Sequence, residues 1–216
     1  MSNAIKQFED NRWSTKDQSL TTRHARAIEM IKEGSVLDIG CGDGLFLDML
    51  KKKGIKGIGV DISSVAVKKC KLKGIDVVIH DVSNMSLPFP DASFNCVVLL
   101  DVLEHNFYPD SILKEAARVS NNYVVISVPN FNSLPARIQT IFGRVPENNK
   151  FNKGHCYWFN YKELSKVILK ANLQIVQDSS HTFWEGKKII GSIMKALNKL
   201  FPSVFALSFI YKLKKK

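Results

Sequence analysis

The stretch "VLDIGCGDG", residues 36–44, decides the reading of this chain. Val36 to Ile39 have strand character, and three of the next five residues, Gly40, Gly42 and Gly44, are glycine. A strand that ends in a glycine-rich turn and opens a helix brings bare backbone against the polar part of a ligand. Free amides at the helix start then face that ligand. Asp61 lies 17 residues beyond Gly44 and closes the next apolar run, where an acid that grips ribose hydroxyls belongs. The dinucleotide pattern G-x-G-x-x-G requires glycine at 45, but this residue is Leu45, and the turn reads G-x-G-x-G. Asp38 and Asp43 put carboxylates beside the turn, which suits an ammonium and a sulfonium better than a pyrophosphate. Asp81, at the end of a third run, is placed to accept from an adenine amino group.

Outward from this turn, short apolar runs alternate with helical stretches. Strands are expected at 35–39, 56–62, 76–80, 94–100 and 123–128, and helices at 45–53, 63–73 and 109–119. Continuous apolar runs joined by crossover helices demand a parallel sheet covered on both faces, hence an open α/β fold. Residues 18–32 read as a helix within an N-terminal helical cap, 1–33. Pro129-Asn130 breaks the rhythm, and a mixed stretch follows to 159. A helix over 160–172 and strands at 173–183 and 205–213 complete the expectation. The whole of 1–216 is read as a single domain, with substrate-side insertions at 130–160 and 184–204.

The bulk numbers fit this reading. Hydrophobic residues make up 45% and charged residues 24% of 216 residues, ordinary for a globular domain with a substantial core. Four cysteines without a CxxC pair point to neither zinc nor a disulfide framework, and so to a reducing cytoplasm. "MSNA" lacks the charged and apolar segments of a secretory signal. Of the net charge of +11, eight lysines fall between Gly186 and Lys216 with no acid among them. The rest is nearly balanced, so no nucleic-acid partner is expected.

Taken in order, "VLDIGCGDG", "GVDIS", "DVSNMSLPFPDASFNCVVLLDVLEH" and "YVVISVPN" resemble the class I S-adenosylmethionine (SAM)-dependent methyltransferases, type 11 and UbiG-like, over roughly 20–182. The resemblance implies a Rossmann-like sheet of seven mostly parallel strands with helices on both faces and a C-terminal antiparallel hairpin. It implies that Asp38, Gly40, Cys41, Gly42 and Gly44 surround the methionine moiety and that Asp61 holds the ribose. Asp81 and the Val82 amide would read the adenine, with Ile62 and Met85 against its ring. Leu100 and Asp101 would sit beside the reacting methyl group. Read on its own, Cys41 is a small buried residue, and Asp43 caps the following helix.

If "DVLEH" forms one helical turn, Asp101, Glu104 and His105 share a face. With His155 they could hold a divalent metal such as Mg²⁺. The small-RNA 2′-O-methyltransferases and the ubiquinone-pathway O-methyltransferases resemble this turn with E-x-x-E-H and a later histidine. Two other readings stay open: Asp101 orients the cofactor and Glu104 pairs with a base, or His105 or His155 acts as general base. His24, His80 and His181 are read as surface or core residues.

"SVPNFNSLPARIQTIFGRVPE", 127–147, resembles the methionine-biosynthesis family MetW, which acts with a homoserine acyltransferase. The leading function is methyl transfer to a small-molecule acceptor, at oxygen. The alternatives are a MetW-like regulator of that acyltransferase and an RNA 2′-O-methyltransferase. The helix 187–201 carries Ile189, Ile190, Ile193, Met194, Leu197, Leu200 and Phe201 on one side. Either that side covers the domain itself, the favoured reading, or it makes peripheral contact with an anionic membrane.

Overall fold

The computed structural model describes residues 2–15, 17–83 and 86–216. Two helices lead in, α1 (Ser2–Thr15) and α2 (Thr22–Met30). Then β1 (Ser35–Ile39), α3 (Leu45–Lys52), β2 (Lys56–Asp61), α4 (Ser64–Leu72), β3 (Val77–Ile79) and β4 (Phe94–Leu100) alternate. After a 3-10 turn at Leu103–His105 come α5 (Pro109–Val119), β5 (Ser120–Pro129) and α6 (Leu134–Ile141). Beyond two further 3-10 turns lie α7 (Tyr161–Lys170), β6 (Leu173–Asp178), β7 (His181–Thr182), α8 (Lys188–Leu200), α9 (Pro202–Phe205) and β8 (Ala206–Lys215).

The strands form one sheet in the order β3-β2-β1-β4-β5-β8-β6, with the two-residue β7 added along β8. The first five are mutually parallel, and β8 runs antiparallel to both β5 and β6. Side-chain alternation splits the core in two. Leu37, Val97, Leu99, Val124, Ile126 and Phe209 face α5 and α7. Val36, Cys96, Val98, Val125 and Ile210 face α2 and α3. The central strands therefore read as unbroken apolar runs because both of their faces are covered.

The glycine turn is packed from both sides. Gly42 has φ +57°, and a Cβ there would collide with the ring of Trp13 from α1. Asp10 of α1 accepts from Ser63 Oγ at 2.6 Å and from the Val65 amide at 3.2 Å, so α1 also caps the start of α4. Beneath the turn, Cys41 packs against β2, where Gly59 leaves room for its sulfur.

Several expectations are corrected. The N-terminal cap holds two helices, because Asp10 and Trp13 anchor α1 to the domain, and the second spans only Thr22–Met30. The mixed stretch contains α6, started by Pro135 in its first turn. The strand expected at 173–183 is broken, because Asp178 Oδ1 accepts the Ser180 amide at 2.8 Å and turns the chain. Pro202 ends α8 but begins α9, since its fixed φ suits a first helical turn.

Gly59→Ala isolates the packing beneath the turn, because an added Cβ would lie 2.5 Å from Cys41 Sγ and 2.9 Å from Leu47 Cδ1. Urea denaturation is expected to show a loss of about 1–3 kcal/mol from overpacking. Wild-type stability would mean that the turn and α3 shift without strain.

Candidate active site

Winding reverses between β1 and β4, and the crevice at the carboxyl ends of those strands is where open α/β sheets bind ligands. A cavity of about 350 Å³ lies there. Gly40, Asp61, Ile62, Asp81, Val82, Leu100 and Asp101 contribute its strand-end wall, and Glu104, His105 and His155 line it further along. Glu9, Arg12 and Trp13 bring α1 over it. Asp38, Cys41, Gly42 and Gly44 do not line it among the described residues. Met85 lies outside the described residues.

The turn's amides are used differently from the free array expected. Gly40 N–H donates to Val60 O at 2.7 Å, and Cys41 N–H to the same oxygen at 3.2 Å. Gly42 N–H donates to Asp61 Oδ2 at 2.8 Å, while Ser63 N–H donates to Asp61 Oδ1 at 2.8 Å. The carboxylate thereby ties the turn to the end of β2. Burial pushes the Asp61 carboxyl up to about 6, with its two amide donors pulling the other way. Asp38 is buried within β1, where desolvation and the nearby Asp61 hold its carboxyl well above the usual range. Hydrogen bonding to Cys70 and burial push the Cys41 thiol well up, so it has no thiolate character. Asp43 spends its charge on Lys73, 3.1 Å away, and on the amides of Gln18 and Leu45. Asp81 Oδ1 accepts the Ser83 amide at 2.9 Å, a short turn that sets its direction at the rim.

The cluster around "DVLEH" departs from the expected geometry. Only Leu103–His105 form a helical turn, and Asp101 stands before it in a left-handed conformation with φ +55°. That conformation aims its carboxylate at Arg23, 2.9 Å away, and at Ser127 Oγ, 2.6 Å away. Asp101 is therefore separated from the group formed by Glu104, His105 and His155, whose ligand atoms lie within 4.8 Å of one another. A left-handed aspartate beside a cavity marks strain held in place by its surroundings.

Glu104 is fully buried, and among the described residues neither carboxylate oxygen has a hydrogen-bond partner. Desolvation, then repulsion from Asp101, raises its carboxyl well above the usual range. His105 Nδ1 lies 3.0 Å from Gly154 O, and His155 Nδ1 lies 2.7 Å from Asn148 O. Each ring therefore carries its proton on Nδ1 and keeps an Nε2 lone pair for a ligand. Burial pushes His105 down to about 3, with its neighbour His155 adding to the shift. His155 is also lowered, chiefly by desolvation. Among the described residues, two more buried atoms without hydrogen-bond partners belong to cavity residues, Gln18 Oε1 and Arg23 Nε. Sequence reading missed both residues. Gln18 lies in the link between α1 and α2 and Arg23 in the first turn of α2, a polar stretch that marks neither, and only folding of the cap brings them to the strand ends.

The "Methionine biosynthesis protein MetW" family model matches residues 22–199. A protein of Mycobacterium tuberculosis described as a probable S-adenosylmethionine-dependent methyltransferase is 28% identical over 164 residues, covering 75% of this chain and 56% of that one. A ubiquinone biosynthesis O-methyltransferase of Paracidovorax citrulli is 31% identical over 106 residues, 45% of this chain and 44% of that one. The chain thus spans only about half the length of these relatives. The crystal structure of a SAM-dependent methyltransferase from Archaeoglobus fulgidus superimposes with a TM-score of 0.66 at 25% identity, covering 89% of this chain and 91% of that one. The strand order, the glycine turn locked to Asp61 and these likenesses converge: the chain belongs to the MetW family and has the fold of the class I SAM-dependent methyltransferases.

Proposed function

We propose that the protein is a SAM-dependent methyltransferase that methylates an oxygen of a small-molecule acceptor, with Glu104, His105 and His155 assembled at the acceptor end of the cavity. The carrying observation is the set of unpartnered atoms on one cavity, Gln18 Oε1, Arg23 Nε and both Glu104 oxygens. Each such atom left buried costs about 1–3 kcal/mol, so the site calls for a ligand with its own polar groups. An adenosyl amino acid has them: ribose hydroxyls to donate to Asp61, an adenine amino group for Asp81, and a carboxylate for Arg23. Leu100 and Asp101, at the end of β4, border the space left for the methyl group. SAM carries its own leaving group, so the protein's main task is to align the acceptor oxygen with the methyl carbon.

The donor set supports one of the readings of the histidines over the other. A general base works best with a pKa near the working pH, and His105 is pushed down to about 3. Two imidazoles with free Nε2 atoms beside an orphaned carboxylate suit a divalent cation instead. Two nitrogens and one oxygen fit Mn²⁺, Fe²⁺ or Zn²⁺ better than Mg²⁺, which prefers oxygen. When bound there, a cation would lower the pKa of an acceptor hydroxyl. Oxygen as the methylated atom draws support from the ubiquinone-pathway relative, named as an O-methyltransferase. The MetW family match supports a second reading, regulation of a homoserine acyltransferase. Capture of that acyltransferase, with no methyl transfer to any acceptor, would favour it.

Calorimetric titration with S-adenosylhomocysteine, with NAD as control, is the first test, and binding of the former alone is expected. Asp61→Ala should weaken that binding by about tenfold or more. Because the Asp61 carboxyl titrates at about 6, affinity should fall as pH drops below that value and the acceptor of the ribose hydroxyls is protonated. Asp61→Asn should flatten this dependence, and a steep dependence surviving in that variant would assign it elsewhere.

A second titration, with Mn²⁺ or Zn²⁺ on chelator-treated protein, should give one site that Glu104→Gln and His155→Ala each remove. S-adenosylhomocysteine affinity should stay unchanged in both variants. Metal binding that survives both changes would exclude this cluster as the cation site.

A further inference from the structure

α8 resolves the two readings of the basic tail against the favoured one. The side of the helix that is buried or half-buried runs along Gly191, Met194, Leu197 and Asn198. A Cβ on Gly191 would lie 2.8 Å from Glu185 O and 2.9 Å from Trp184 O, so on that side the helix packs closely on the turn that leads into it. Ile189, Ile193 and Leu200, spaced four and seven apart, form a separate stripe that is 79%, 51% and 70% exposed. Lys188, Lys195 and Lys199, spaced seven and four apart, fall in one row of their own, so a line of charge runs beside the apolar stripe. The apolar side that was expected to cover the domain is largely turned to solvent.

A second helix repeats the pattern from the neighbouring strand. Ile138, Ile141 and Phe142 of the α6 segment are 45%, 79% and 74% exposed, and Arg137 and Arg144 accompany them. α6 follows the end of β5, and α8 with α9 precedes the start of β8. The register Pro129↔Ser208 places those two strand ends side by side. Asn130 Nδ2 donates to Ser203 O at 3.1 Å and to Ala206 O at 2.8 Å, tying the roots of both segments together. Both therefore leave the sheet at the end that carries the cavity, of which Pro129 is a lining residue.

We propose that α8, assisted by α6, docks the protein on the surface of an anionic lipid bilayer, with Ile189, Ile193 and Leu200 entering the acyl boundary and Lys188, Lys195 and Lys199 meeting the headgroups. Charge selects this occupant. From Gly186 to Phe201, α8 and its lead-in carry four lysines, Lys187, Lys188, Lys195 and Lys199, and no acid, a poor match for a second copy of the same basic face and a good one for anionic headgroups. The contact lies on the surface, since no helix among the described residues is long and apolar enough to cross a membrane. An acceptor dissolved in that membrane would meet the cavity at its entrance. The docking itself does not depend on the methyl-transfer reading.

Flotation of the full chain with phosphatidylcholine vesicles, with and without phosphatidylglycerol, tests this. Binding is expected only with phosphatidylglycerol, and salt should weaken it. Lys195→Gln with Lys199→Gln should lower partitioning by about thirtyfold. Ile193→Glu with Leu200→Glu should abolish it while circular dichroism and the thermal midpoint stay at wild-type values, because both positions are exposed. Failure to float with phosphatidylglycerol, or flotation unaffected by the glutamate pair, would overturn the proposal. So would a dimer in light scattering that the glutamate pair dissociates, since a second copy would then cover the stripe. S-adenosylhomocysteine titration of the same samples reports on the cavity separately, so the two readings fail independently.

Discussion

Two amide hydrogens on one carboxylate, Gly42 and Ser63 on Asp61, organise the cavity end of the sheet. The glycine turn leaves β1 and must pass close to the end of β2, and it can do so only with little side-chain bulk between them. Gly59 makes room for Cys41, and Gly42 makes room for Trp13. Asp61 then holds the turn from below while α1 closes over it from above. Burial pushes this carboxyl up to about 6 against the pull of its hydrogen bonds. A group in that balance is sensitive to any further donor that enters the cavity.

Around that frame the cavity is electrostatically incomplete. Among the described residues the Glu104 carboxylate is buried without a hydrogen-bond partner, and the strained Asp101 is neutralised by Arg23, whose Nε is itself unpaired. Structures tolerate such arrangements where a ligand completes them. The two histidines present the same picture from the other side. Backbone carbonyls of Gly154 and Asn148 fix their tautomers, and the two rings cluster with the carboxylate. The segment that brings His155 into place is the irregular one, and its role is to carry one imidazole back to the end of β4. Cys156 and Tyr157 donate their amides to Glu104 O, at 2.8 and 3.0 Å, and so hold the two segments together.

The acceptor side differs in physical character from the cofactor side. There, α6 and α8 put apolar side chains into water instead of into the core. A folded chain keeps a large exposed apolar stripe at a cost in solubility, and a basic border beside it turns that cost into a preference for an anionic, apolar surface. The helices rise from adjacent strand ends, so this surface and the cavity share one end of the sheet.

Much of the architecture is written locally. Continuous apolar runs in β1, β4 and β5, glycines at 40, 42 and 44, and an acid closing β2 together dictate a covered parallel sheet with a ligand turn. Those signals depend on backbone conformation and on burial of both faces, which neighbouring residues specify. The spacing Glu104-His105 with a distant His155 was also legible, because adjacent positions on a turn need no tertiary information. What the sequence left open depends on contacts between distant segments. Asp101 leaves the cluster because its backbone turns left-handed toward Arg23, 78 positions earlier in the chain. The turn's amides serve Val60 and Asp61 because β2 lies against them, and Gln18 enters the site because Trp13 anchors α1. The helical period of α8 showed that it has an apolar side, but only the fold decided that Ile189, Ile193 and Leu200 on it face water. Periodicity defines the faces of a helix, and the fold chooses which of them is covered.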